Sequence, residues 1–336
     1  MEKQKRIFEI IKRNNPQNLR LVVEIEELLG ISSDSAYKRI SGKTELSFSE
    51  LLKICDKYKL SLDEIISGKS KQGAFFHNTP GDVSDQDGYV KHMKQLLTIL
   101  NPGSKAAKGM EFVFTAQDIP FYHFVKYPEL AYFRLFVWND ILTRRNISYC
   151  KFCDELKKDR IISVYNEIYQ AFLQTPSKEI WTKQTIYSTV RMLEYYFETE
   201  AFERKETVLL LLSQLESLLD TVRYFADSGY KGKTPFELYL CSVDLENNFM
   251  LIKNGEDLSC IVQLYAIKRM ITYNEHLCAE IQKWMENLML KSMLISGGAS
   301  FKERRQFFNS AKRKVQELKT KVEGADAKKD FQKMKN

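Results

Sequence analysis

The sequence predicts a mainly α protein: a five-helix N-terminal unit, then a large α-rich domain carrying a small antiparallel β-hairpin or sheet. Three observations predict it. Apolar residues recur at helical spacing over most of the 336 residues, with Val22, Ile25 and Leu29 at i, i+3 and i+7 as a clear case. Alternating or β-branched runs occur only in short stretches, residues 111–115 and 236–262. The second of these contains Asn254-Gly255, the strongest hairpin turn signal in the chain. Turn-rich composition at residues 69–88 divides the chain into a unit over 1–68, a linker over 69–88, an α-rich domain over 89–318 and a basic, disordered tail over 319–336.

The first unit opens with Ile7, Phe8, Ile10 and Ile11 on a helix closed by Pro16. A second helix begins near Leu21 and stops at Gly30, where a sharp turn favours positive φ. Ser32 or Ser33 caps a third helix. On it Ala36 and Ile40 face inward, four residues apart, and Ser33, Asp34, Tyr37, Lys38 and Arg39 are left outside. Gly42 ends that helix and Lys43 follows. Ser47 caps a fourth helix with Leu51, Leu52, Ile54, Cys55 and Tyr58, and Leu62, Ile65 and Ile66 form a last turn after Ser61. A second helix with a polar, basic outer face, held across a tight turn, is the arrangement a major-groove reader needs. An ordinary helical hairpin without nucleic acid is the alternative.

These residues resemble the lambda-repressor/Cro-like class of helix-turn-helix domains. The resemblance rests on the Gly30-to-Gly42 spacing, the run Ile31-Ser32 with Ala36, and the closing Leu60-Ser-Leu-Asp-Glu-Ile-Ile66. Two positions depart from the pattern: Glu26 stands where a small residue is usual, and Arg39 where an apolar one is common. The resemblance implies double-stranded DNA as partner, with Ser32, Ser33, Asp34, Tyr37, Lys38, Arg39 and Lys43 on the DNA side. Ser33, Asp34 and Lys38 are then expected at base edges, with Arg39 and Lys43 on phosphate. A second stretch, Asp118-Ile-Pro-Phe-Tyr-His-Phe through Trp138, is similar to a run in bacterial regulators that pair such a head with a large helical region. That resemblance suggests transcriptional regulation and carries no ligand or catalytic residue with it.

Charge alone is weak support for a nucleic-acid partner. The net charge of +7 sits entirely in residues 301–336, which hold twelve Lys or Arg against five Asp or Glu, and residues 1–70 carry only thirteen against eleven. Residues 301–318 are expected to be a basic amphipathic helix. No stretch is long and apolar enough to cross a membrane, and the first residues lead into a charged helix, so a cytoplasmic location is expected. The six cysteines are scattered; Cys150 and Cys153, the one close pair, read as buried small apolar residues in a helix.

In the second domain, residues 206–225 are apolar on most sides. That helix is therefore expected at the domain centre or at a homodimer seam. Thr175-Pro-Ser reads as a break between two helices. The aromatic residues concentrate in this domain and leave room for an apolar pocket, with Phe121, Tyr122, His123 and Trp138 as candidate lining for a small-molecule or peptide effector. His123 reads first as a core histidine. Gly232-Lys-Thr234 and Gly42-Lys-Thr44 imitate the end of a phosphate-binding loop, but Asp227 and Tyr37 stand where its first glycine belongs. With no nucleophile, metal or phosphate motif, no enzyme activity, cofactor or metal is expected. The expectation is a sequence-specific DNA-binding transcriptional regulator whose second domain dimerises or senses a signal. The alternative is a protein-interaction component of a toxin–antitoxin or phage-defence system that autoregulates through its head.

Overall fold

A computed structural model describes residues 2–14, 20–58, 60–62, 65, 73–79, 85–100, 109–143, 145, 147–156 and 158–325. The head contains α1 (Glu2–Asn14), α2 (Leu21–Leu29), α3 (Ser33–Ile40) and α4 (Phe48–Tyr58). Ile7, Phe8, Ile11, Ile25, Ala36 and Ile54 are buried together as its core. Ala36 is fully covered, and its single methyl lets α3 approach α2 closely. Ser47 and Glu50 form a reciprocal cap on α4. The Ser47 hydroxyl accepts the Glu50 N–H at 3.3 Å, and the Glu50 carboxylate accepts the Ser47 N–H at 2.8 Å. The expected fifth helix falls on residues 61–66, of which 63, 64 and 66 lie outside the described residues. Leu60 and Ile65 join the head core.

The second domain departs from the mainly α expectation. Among the described residues it carries a nine-stranded mixed sheet. The strands are β1 (His77–Thr79), β2 (Met110–Ala116), β3 (Ser177–Trp181), β4 (Tyr230–Lys231), β5 (Thr234–Leu240), β6 (Phe249–Asn254), β7 (Asp257–Tyr265), β8 (Lys268–Thr272) and β9 (Met293–Leu294). Their order is β1-β8-β7-β6-β2-β3-β5-β4, with β9 also on β5. β2, β3 and β5 run parallel, and β6, β7, β8 and β1 continue antiparallel from β2. The small hairpin expected from the sequence is β6–β7, turning at Asn254 and Gly255, and it is only part of this sheet. The strand expected over residues 111–115 is β2, whereas β3 escapes a periodicity search because strands covered on both faces lose the apolar–polar alternation that reveals a half-exposed strand.

Helices cover both faces. On one side lie α5 (Gln86–Leu100), α6 (Phe121–Phe124), α7 (Pro128–Thr143), α8 (Tyr149–Glu155), α9 (Lys158–Gln174), α10 (Lys183–Glu198) and α11 (Lys205–Ser228), meeting Phe112, Phe114, Trp181, Phe236 and Leu238 in one large core. On the other side Val113, Ile180, Leu251 and Cys260 pack against Cys278 and Met285 of α12 (Glu275–Leu290). The last helix, α13 (Phe301–Glu323), lies on α11 and α10.

α11 is the hub of the helical layer. Val208, Leu211, Leu212, Leu215, Leu218, Leu219 and Val222 are all fully covered within the chain, and Leu210 and Tyr224 point outward. Most of the apolar surface that suggested a dimer seam is thus consumed internally. α13 extends past residue 318, where the expected tail begins, and buries Leu318 and Val322. Its basic residues face acids of its neighbours: Lys312 on Asp220, Lys319 on Glu216, and Lys321 on Glu194 and Glu198. Residues 326–336 of the tail lie outside the described residues.

Part of the expected linker belongs to the sheet. β1 pairs with β8, the Phe75 carbonyl accepts the Thr272 hydroxyl at 2.8 Å, and the Gly73 carbonyl accepts Asn274 Nδ2 at 3.1 Å. Cys150, expected to be buried, is exposed on α8, and Cys153 is half-buried. Among the described residues no helix is long and apolar enough to cross a membrane.

Candidate nucleic-acid interface and ligand cavity

The turn before α3 is built by Gly30, at φ +65°, whose N–H bonds the Glu26 carbonyl at 2.9 Å. Backbone of that sign suits a residue without Cβ. Glu26 acts here through its carbonyl, so the missing small side chain does not prevent the turn. Ser32 caps α3 from extended backbone and accepts the Ser35 N–H. Ala36 points into the head, and Ser33, Asp34, Tyr37 and Lys38 are exposed, as are Ser32 and Lys43 at the two ends of the helix.

The charges on this face are not equivalent. Lys38 pairs with Asp34 one turn earlier at 2.6 Å, an exposed contact that a phosphate or base edge can displace at little cost. Arg39 is committed instead to Glu50: Nε and Nη2 each lie 2.9 Å from Glu50 Oε1, with both side chains mostly covered. Burial raises the Glu50 pKa, but hydrogen bonds from Arg39 and Ser47 outweigh it and hold the carboxyl below its ordinary value. The phosphate role expected of Arg39 is therefore replaced by a clamp between α3 and α4.

Two residues of α1 reach this face of the head with no signal in the helix-turn-helix pattern. Gln4 donates to the carbonyls of Arg39 at 2.8 Å and Thr44 at 2.7 Å and accepts the Leu46 N–H at 3.1 Å, pinning the loop after α3. Lys5 lies over Gly42, its aliphatic stem 3.3 Å from where a Cβ would stand, and so adds a cation to the Lys43 end of the face. Such long-range placement cannot be read from local spacing.

In the second domain Phe121, Tyr122 and Trp138 line a cavity of about 70 Å³ between the sheet and α6–α7. Asp118 and Arg134 border it from the helical side, and Asn248, Gln263 and Arg269 from the strands. Asp118 pairs with Arg134, and its second carboxylate oxygen accepts the hydroxyls of Ser188 at 2.7 Å and Thr189 at 3.3 Å on α10.

His123 is not part of that lining. Its Nε2 lies 3.0 and 3.1 Å from the two carboxylate oxygens of Glu179, which also accepts Trp181 Nε1 at 2.8 Å. Both residues are buried among Phe172, Trp181 and Phe236. Helix α6 turns residue 123 away from its neighbours 121 and 122, so it is a core histidine and not a pocket residue. Lys231, also wholly covered, completes this buried polar group. Desolvation lowers its pKa to about 7, against the opposing charge of Glu179. Among the described residues no group of three or more His, Cys, Asp or Glu is placed to hold a metal ion.

No protein-family model, curated protein or solved structure matches the chain.

Proposed function

We propose that the chain is a sequence-specific DNA-binding regulator of transcription, acting in the cytoplasm. Its head enters the major groove with α3, and its second domain joins two copies and receives a signal. The observation that carries this reading is the Gly30 turn followed by a short, capped α3 that buries only Ala36 fully and leaves a continuous polar face. Ser33, Asp34, Tyr37 and Lys38 form two i, i+4 rows on that face, spaced to meet successive base edges. Lys43 and Lys5 lie beyond its C-terminal end, where phosphate contacts would fix register. A single small head makes few contacts, so two heads on half-sites about one helical turn apart are expected.

The test is selection of bound duplexes from a random pool, followed by anisotropy titrations over a range of salt. A Lys38→Ala/Lys43→Ala variant that stays folded loses affinity, and its log–log salt slope shrinks by about 0.9 for each phosphate no longer neutralised. Unchanged affinity for the selected duplex in that variant overturns the reading. Light scattering of the chain with and without duplex reports the dimer.

A further inference from the structure

The cavity beneath α6 and α7 is concave, lined by apolar and aromatic side chains and furnished with convergent polar groups, as small-molecule sites are. At about 70 Å³ it lies well under the roughly 300–1,000 Å³ of drug-sized sites, so it suits a small ligand. Its walls favour something flat. Phe121 and Trp138 lie 5.9 Å apart at 40°, and Tyr122 stands 5.5 Å from Phe114. Such rings take a planar body edge-on or offset.

The polar lining indicates what that body carries. The buried Tyr122 hydroxyl gives its hydrogen to the Met250 sulfur at 3.1 Å. Arg134, buried as well, points Nη1 at the Met192 sulfur at 3.6 Å. A thioether is a weak acceptor, so the Tyr122 hydroxyl, which lines the cavity together with Met250, is poorly satisfied and favours an incoming oxygen. Arg134 is already ordered: its other arm holds Asp118, and its guanidinium carbon sits 5.4 Å and 5.5 Å from the Phe124 and Trp138 rings. A ligand meeting it need not order it. Burial raises the Tyr122 pKa to about 12 against the nearby positive charge of Arg269, so the hydroxyl remains a donor. Arg269 lines the same cavity from β8, opposite the helices. The oxygens of Asp118, meanwhile, are taken up by Arg134, Ser188 and Thr189.

We propose that this cavity binds a small planar carboxylic acid, its flat body against Phe121 and Trp138 and its carboxylate on the Tyr122 hydroxyl, within the field of Arg134 and Arg269. Its role as effector rests on the regulator reading above. The acid's binding does not.

Isothermal titration of the full chain without DNA, using benzoate, benzamide and acetate as probes, tests it. Benzoate is expected to bind with a Kd of about 1 mM or below. Its neutral isostere benzamide should bind at least tenfold more weakly, and acetate, without a ring, should give no heat of binding. Tyr122→Phe keeps the ring and loses the donor, and should weaken benzoate about tenfold. Arg269→Gln removes a cation from the strand wall of the cavity and should reduce the preference for benzoate over benzamide. No benzoate binding at about 20 mM, a concentration well above the expected Kd, overturns the proposal. Equal affinity for benzoate and benzamide overturns it too, as does binding that neither variant alters. A chain that binds benzoate but no duplex refutes the regulator reading alone, and one that binds duplex but no benzoate refutes the cavity proposal alone.

Discussion

The amine nitrogen of Lys231 lies 3.4 Å from the centre of the Phe172 ring and, among the described residues, has no hydrogen-bond partner. A charged lysine over a ring face gains cation–π attraction, yet burial costs it far more, and its pKa falls from the ordinary 10.5 to about 7. The unfolded chain keeps this proton up to the ordinary value, whereas the folded chain releases it near 7. Between those values the unfolded state binds more protons, so stability rises with pH. The unfolding free energy from urea titrations should climb between about pH 7 and pH 10 by up to about 1.4 kcal/mol per pH unit from this group. Lys231→Met should remove that climb and raise stability at pH 7. A Lys231→Met chain with an unchanged pH profile would show that the lysine is not the group responsible.

Asp118 joins α7 to α10 through Arg134 on one oxygen and Ser188 and Thr189 on the other. Removing the carboxylate strands a buried guanidinium. Asp118→Ala should cost about 3 kcal/mol in chemical denaturation, and an Asp118→Leu/Arg134→Met pair should recover part of it. Similar stability for both would mean that the ion pair contributes little.

Gly42 is constrained twice, by φ +75° and by the stem of Lys5 above it. Gly42→Ala should destabilise the head by about 1–2 kcal/mol through the left-handed backbone alone, with more from the clash. Repeating the change in a Lys5→Ala background should relieve the clash and leave the backbone part. Hydrogen exchange of the α1 and α3 amides separates the two contributions.

A chain truncated after Leu318 loses Val322, which is fully covered, together with the Lys319 and Lys321 ion pairs. The pairs are partly exposed and contribute little. The valine matters more, about 1.5–3 kcal/mol. Truncation is therefore expected to lower the melting temperature of the second domain while leaving the salt slope of duplex binding unchanged. A reduced slope without lost stability would instead assign these lysines to the nucleic acid.

How far these features were legible from sequence follows from the range of the contacts that make them. The Gly30 turn, the Ser47 cap and the β6–β7 hairpin depend on residues a few positions apart, and local spacing reveals them. β3 does not announce itself: five residues, Ser177-Lys-Glu-Ile-Trp, place two charges mid-strand, and Glu179 is buried only because His123 and Trp181 reach it. In the cavity the aromatic density of α6 and α7 pointed to Phe121, Tyr122 and Trp138. Its other wall, Asn248, Gln263 and Arg269, stands more than a hundred residues further along the chain, beyond any local pattern. The clamp of Arg39 by Glu50 was hidden for a different reason, since a basic residue on a DNA-reading helix looks the same whether it faces solvent or an acid.

The sheet order also sets a timetable for synthesis. The head closes its core with residues no later than Ile65. In β2, by contrast, Phe112 pairs with Ser177 on one side and Ile252 on the other. At roughly 5–20 residues per second, the ribosome needs on the order of ten seconds to go from the first of these positions to the last. Throughout that interval the head can be finished while both edges of the future central strand still lack a permanent neighbour, so nascent chains of this protein are exposed to mispairing through Phe112, Val113 and Phe114.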